Sequence, residues 1–163
     1  MKIAHLCLSC FYIDNRSYQE NDLVRQHVVE GHEVLVLAST ESHDDAGKLT
    51  YVHPSEYQGG EGAKVVGLPY SWGIPKKMAP KLRIFHNVYK YLDEFGPDVI
   101  IFHGACGWEL ITVATYVKKN PKVVFYVDSH EDSNNSARNF ISREILHKIY
   151  YARVLRFALR RIK

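Results

Sequence analysis

Short runs of apolar residues without polar alternation recur along this chain, each separated from the next by residues at helical spacing. Lys2 to Ser9, Glu33 to Ala38, Lys64 to Leu68, Asp98 to Phe102 and Lys122 to Val127 are the clearest. A strand with one face in water alternates apolar and polar residues, whereas a strand that is apolar throughout is buried on both faces. Between the first two runs, Leu23, Val24, His27 and Val28 recur at helical spacing, and Gly31 stops that helix. Leu82, Phe85, Val88, Tyr89 and Leu92 trace a second helical face ended by Gly96-Pro97, and Trp108 to Val117 reads as a third helix. Connections of this length permit right-handed parallel crossovers. The expectation is an α/β fold: a Rossmann-like parallel sheet with helices on both faces, as a single domain over residues 1–163.

With 46% apolar residues, the 163-residue chain can bury a sizeable core, and its formal charge of +3 argues against disorder or wholesale nucleic-acid binding. No apolar run approaches the roughly 18 residues of a membrane span. Met1-Lys2-Ile3-Ala4 superficially resembles a leader, but His5 interrupts it, and it reads as a first strand. Cys7, Cys10 and Cys106 are odd in number and lie in or beside apolar runs, which suits reduced thiols in the cytoplasm better than a disulfide framework.

Ser42 to Gly62 is polar and glycine-rich and reads as a long loop or small excursion. Ser142 to Lys163 holds seven basic residues against Glu144 alone and nets +6, so the rest of the chain nets −3. Tyr151, Val154, Leu155, Ala158 and Ile162 share one side of this basic amphipathic helix, with most of the cations opposite.

Ligands of open α/β sheets bind beyond the carboxyl ends of the strands, so the loops after Ser9, Phe102 and Val127 are the places to look. His103 and His130 fall there, His130 with Glu131 and Asp132 alongside. An imidazole of ordinary pKa, about 6.5, beside carboxylates orients a hydroxyl, shares a proton or bonds a sugar; the alternative is a histidine that satisfies a loop carbonyl. The loop from Cys10 to Tyr18 lacks a glycine-rich dinucleotide or triphosphate signature. It offers Asn15, Arg16 and Ser17 near a helix N-terminus, where an anion is favoured, or else it is simply solvated. In Cys7-x-x-Cys10 the first thiol lies inside a strand rather than exposed at the start of a helix, and no Cys/His set shows zinc-finger spacing.

Six segments in order resemble the N-terminal domain of GT-B glycosyltransferases, specifically bacterial family 4 enzymes that build surface glycans. They are Met1-Lys2-Ile3, Tyr18-Gln19-Glu20-Asn21, Glu30-Gly31-His32-Glu33-Val34, Gly67-Leu68-Pro69, Pro97 through Gly104, and Asp128-Ser129-His130-Glu131. The resemblance implies transfer of a sugar from a nucleotide-sugar donor to a glycan or lipid-linked acceptor, with retention and without a cofactor or essential metal. His130 matches the family histidine near the transferred sugar, with Glu131 beside it as a catalytic candidate. Arg16, Ser17, Glu20, His103 and Asp132 are the substrate-binding candidates. Glu20 and its loop match the region facing the donor's diphosphate; Asn15-Arg16-Ser17 stands where the family commonly has a glycine pair, and Arg16 offers charge in its place.

The family's second, donor-binding domain is absent from the 163 residues, so the expectation is half an active site, completed by a missing C-terminal domain or a partner subunit. The basic segment 142–163 fits a family habit of resting on an anionic membrane, which implies a cytoplasmic protein peripheral to the inner face of the plasma membrane; the alternative is that its apolar side packs on the sheet and its basic side is merely solvated. Two rival readings are a non-catalytic binding subunit of a split glycosyltransferase and an unrelated flavodoxin-like nucleotide-binding domain.

Overall fold

The computed structural model describes residues 1–75, 77–129 and 141–162. Its first strand, β1 (Lys2–Cys7), is buried from Ile3 to Cys7, because the sheet is packed on both of its faces there. Ala4, Leu6 and Leu8 enter one core cluster, and Cys7 enters the other, as the two-residue period of a strand requires. β1 pairs in parallel with β2 (Glu33–Ser39) on one side and with β7 (Val99–Phe102) on the other. Beyond β2 lies β6 (Lys64–Leu68), and beyond β7 lies β8 (Val124–Val127), both parallel; contrary to its apolar sequence, β8 is not buried on both faces, because it ends the sheet and leaves Val124, Tyr126 and Val127 exposed. The fold is α/β and Rossmann-like, as expected.

The sheet is mixed rather than purely parallel. Within Ser42 to Gly62, read from the sequence as a loop or excursion, β5 (Glu56–Gln58) closes the sheet antiparallel to β6. β3 (Glu41–His43) and β4 (Leu49–Tyr51) pair as a separate two-stranded antiparallel hairpin. The strand order is β5-β6-β2-β1-β7-β8.

One face is covered by α1 (Gln19–Val29), whose Val24 is buried with Cys7, Val34, Val36 and Ala38. Glu20 and Asp22 in its first turn suit the positive end of the helix dipole, and Gly31, at φ +81°, ends it. The other face carries the larger core, built on Leu92 of α3 (Val88–Phe95) and Leu110, Val113 and Ala114 of α4 (Glu109–Lys119).

The helix expected from Leu82 through Leu92 is interrupted. A single turn, α2 (Ala79–Leu82), ends at Arg83, and α3 starts after Asn87; both flanking residues have left-handed backbones, with φ of +50° and +62°. Between them Phe85 bridges to Tyr70, and its amide donates to the buried Glu109 carboxylate at 2.8 Å, contacts a continuous helix would forfeit. The third helix begins one residue later than expected, at Glu109.

The basic C-terminal segment is helical but not uniform. Ile141–Tyr151 winds as a wide π-helix, and α5 (Ala152–Ile162) follows. Tyr151, Val154 and Ala158 are buried and Leu155 packs against the core, so this much of the apolar side packs on the body of the fold, while Ile162 stays 37% exposed.

Candidate functional site

Crossovers leave β1 toward β2 on one side, and β7 takes its place on the other. The carboxyl ends of β1 and β7 therefore form the topological switch point, where a crevice opens in sheets of this kind. Ser9 follows β1, and His103 and Gly104 follow β7. The two loops are tightly tied: the Ser9 hydroxyl donates to the Cys106 carbonyl at 2.6 Å, and a β-carbon on Gly104 would lie 2.8 Å from that of Ser9.

Asp128, just past β8, reaches across this edge. Its Oδ1 accepts from the Gly104 amide at 3.0 Å, and its Oδ2 accepts from His103 Nδ1 at 2.7 Å. The His103 side chain is fully buried, whereas that of Asp128 is 27% exposed, so the carboxylate is the member of this pair that faces solvent. The other nitrogen of His103, Nε2, lies 2.9 Å from Nδ1 of His5. Both ring nitrogens of His103 are thus engaged within the protein.

Behind the same edge stands a second charged group. Arg83 Nη1 donates to the Leu8 carbonyl at 3.1 Å and lies 4.0 Å from the buried Glu41 carboxylate, which also accepts from the Tyr70 hydroxyl at 2.7 Å. Burial works against the guanidinium charge, but Cys106 and Glu41 outweigh it and hold the Arg83 pKa above its usual value. Burial and the bond to Glu41 push the Tyr70 phenol well above its usual value. This leaves a permanent cation at the ends of β1 and β2.

The candidate loop before α1 is positioned by Glu61. That buried carboxylate accepts from Asn21 Nδ2 at 2.8 Å, from the Asn15 amide at 3.1 Å and from the Tyr12 hydroxyl at 3.1 Å. Burial alone would raise its pKa, and these donors outweigh burial and lower it. Asn15 takes a left-handed backbone at φ +61°, and Arg16 and Ser17 stand exposed beyond it. Glu20 is buried in the first turn of α1. It and Asp128 both act on Cys7, whose thiol pKa is raised by burial first, then by Cys10 and by these two carboxylates. The structure thus joins Asp128 and His103 directly, with Glu20 buried in α1 and Arg16 and Ser17 exposed. His130, Glu131 and Asp132 lie outside the described residues.

Asp128, Arg83 and Glu41 had no role assigned from sequence, although Asp128 stood within a quoted motif. A carboxylate directly after the last apolar residue of a strand was the available signal for Asp128. Arg83 carried none, because its partners come from positions far away in the chain.

Fold and site together define an α/β domain with a polar, charge-bearing carboxyl edge at its switch point. No protein-family model matches this chain, and no curated protein sequence matches it significantly.

Proposed function

We propose that this chain is the acceptor-binding half of a retaining GT-B glycosyltransferase that moves a sugar from a nucleotide-sugar donor to a glycan or lipid-linked acceptor in surface polysaccharide synthesis. The observation that carries the reading is the carboxyl edge at the switch point: a solvent-facing Asp128 carboxylate held by His103 and Gly104, within the segments that resemble the family. An acceptor hydroxyl needs a hydrogen-bonding group that orients it and takes up its proton as the new bond forms. In this reading His130 contacts the transferred sugar and Glu131 assists it. Asp132 orients polar groups of the substrate, Arg16, Ser17 and Glu20 border the donor diphosphate, and the second domain or a partner subunit holds the nucleotide.

The test joins the chain to its donor-binding half and assays transfer from a panel of nucleotide sugars. His130→Ala lowers turnover by about 100-fold or more while the thermal unfolding midpoint holds. Unchanged turnover removes His130 from the mechanism, and absence of transfer from every donor in the panel overturns the glycosyltransferase reading.

A second part of the proposal concerns the C-terminal helix, which we assign to an anionic membrane surface. Phe157 and Leu159 are 49% and 51% exposed, beside exposed Arg153, Arg156 and Arg160. Phe157, Trp108, Ile111, Tyr150, Arg153 and Arg161 line a shallow, largely apolar groove of about 590 Å³ between α4 and α5. No helix among the described residues is long and apolar enough to cross a membrane, so contact would be peripheral.

A further inference from the structure

Three histidines and one aspartate, drawn from four separate parts of the chain, form a continuous hydrogen-bonded row on the face of the sheet under α1. Asp128 Oδ2 lies 2.7 Å from His103 Nδ1, His103 Nε2 lies 2.9 Å from His5 Nδ1, and His5 Nε2 lies 2.9 Å from His27 Nδ1. The His5 and His103 rings are within 9° of parallel with centroids 5.2 Å apart, the arrangement of two rings joined edge to edge by that bond. His5 and His103 are fully buried, and His27, on α1, is half-buried. The row thus runs from a side chain that reaches the surface to the carboxylate at the switch-point edge.

A neutral imidazole has one donor and one acceptor, so the row has a sense. The Asp128 carboxylate only accepts, which puts the His103 hydrogen on Nδ1 and leaves Nε2 as an acceptor. His5 must then donate from Nδ1 and accept at Nε2, and His27 must donate from Nδ1. Burial, with His103 and His27 nearby, lowers the His5 pKa to about 3, so the middle ring stays neutral. The other titratable groups facing the row are Cys7 on β1 and Glu30 and His32 at the end of α1; for His27, burial comes first and lowers its pKa, Glu30 raises it and His32 lowers it.

We propose that Asp128, His103, His5 and His27 are a proton relay between solvent at α1 and the carboxyl edge of the sheet. A proton from water binds His27 Nε2, and His27 passes its Nδ1 proton to His5 Nε2. His5 passes its Nδ1 proton to His103 Nε2, and His103 passes its Nδ1 proton to Asp128 Oδ2. Each ring ends neutral with its hydrogen moved from Nδ1 to Nε2, and the one added proton resides on Asp128. The reverse sequence discharges a proton that Asp128 has taken from a hydroxyl-bearing ligand, without opening the core. No step involves a sugar, so the relay stands or falls apart from the transferase reading.

The chain itself, labelled with ¹⁵N in its histidine rings, supplies the test at pH 7.5. In the wild type all three rings carry their hydrogen on Nδ1; any one of them on Nε2 breaks the sense of the row and overturns the relay. In Asp128→Asn, the amide oxygen keeps the Gly104 bond and the amide NH₂ donates to His103 Nδ1. All three rings then switch to Nε2, His27 included. Retention of the Nδ1 form by His27 in that variant overturns the proposal. His27→Phe, at a half-buried position, removes the outer end and slows solvent exchange of the His103 ring hydrogen by about tenfold or more; unchanged exchange shows that protons reach His103 by another route and likewise overturns it.

Discussion

His5 shows how much one buried side chain commits the chain to a pH range. Its folded pKa is lowered to about 3 by burial, while in the unfolded chain it titrates near its ordinary value of 6.5. Below about 6.5 the unfolded state binds the proton that the folded state refuses, so stability is complete above that value and is lost progressively as pH falls toward 3. The loss attributable to such a group is about 1.4 kcal/mol per pH unit within that window. The His27 shift is in the same direction and adds to it. Urea unfolding at pH 7 and pH 5 should give a clearly lower midpoint at pH 5. His5→Leu should lower stability at pH 7 by about 1–3 kcal/mol, because His103 and His27 lose a partner, yet flatten the pH dependence. An equal slope in the variant would place the acid sensitivity elsewhere. The sequence exposed His5 only as a polar interruption in an apolar run. Its partners stand 22 and 98 positions away, and no local pattern reports pairings at that range.

At the scale of elements, the inner strands were legible because they are apolar on both faces, a pattern few other structures tolerate; β8 has the same composition but lies at the edge of the sheet and leaves Val124, Tyr126 and Val127 exposed. The first helix was legible for the same reason its end was: an amphipathic stripe followed by a glycine that takes a left-handed backbone. What escaped was governed by side-chain bonds between distant elements. Leu82 and Phe85 have helical spacing, but the Glu109 carboxylate captures the Phe85 amide and Arg83 turns left-handed, so propensity yields to tertiary contact. The three-residue strands β3, β4 and β5 are too short to show a period. The loops at the carboxyl edge were singled out from the sequence, but the Asp128–His103 pairing there was not foreseen. The loop after β7 carries its own prediction. Gly104 has φ +87° and no room for a β-carbon, so Gly104→Ala should cost about 2–3 kcal/mol through backbone strain and displacement of Ser9. Differential scanning calorimetry checks this, and a change below half a kcal/mol would mean that the Ser9 loop yields freely.

For the whole molecule, charge is divided by location. Residues 142–163 net +6 and the remainder nets −3, which sets a cationic helix against an otherwise mildly acidic body. On an anionic surface each cation close to the lipid contributes on the order of 1 kcal/mol, so binding should depend on lipid charge and fall with salt. In flotation with phosphatidylserine-containing vesicles the full chain should rise with the lipid at low salt and stay behind with neutral phosphatidylcholine. Phe157→Asp should weaken that partition, and equal partition into both vesicle types would remove the membrane assignment.

The tie between the β1 and β7 loops has a consequence for how this sequence can drift. Gly104 sits against Ser9, and Gly107 sits against Arg83, where an added β-carbon would approach to 2.8 Å in each case. Both glycines also hold left-handed backbones, at φ +87° and +93°, and the atom each would meet is a β-carbon that any residue but glycine carries, so a side chain at either position is strained even if its neighbour is trimmed. Glycine should therefore persist at 104 and 107 while the sequence around them drifts.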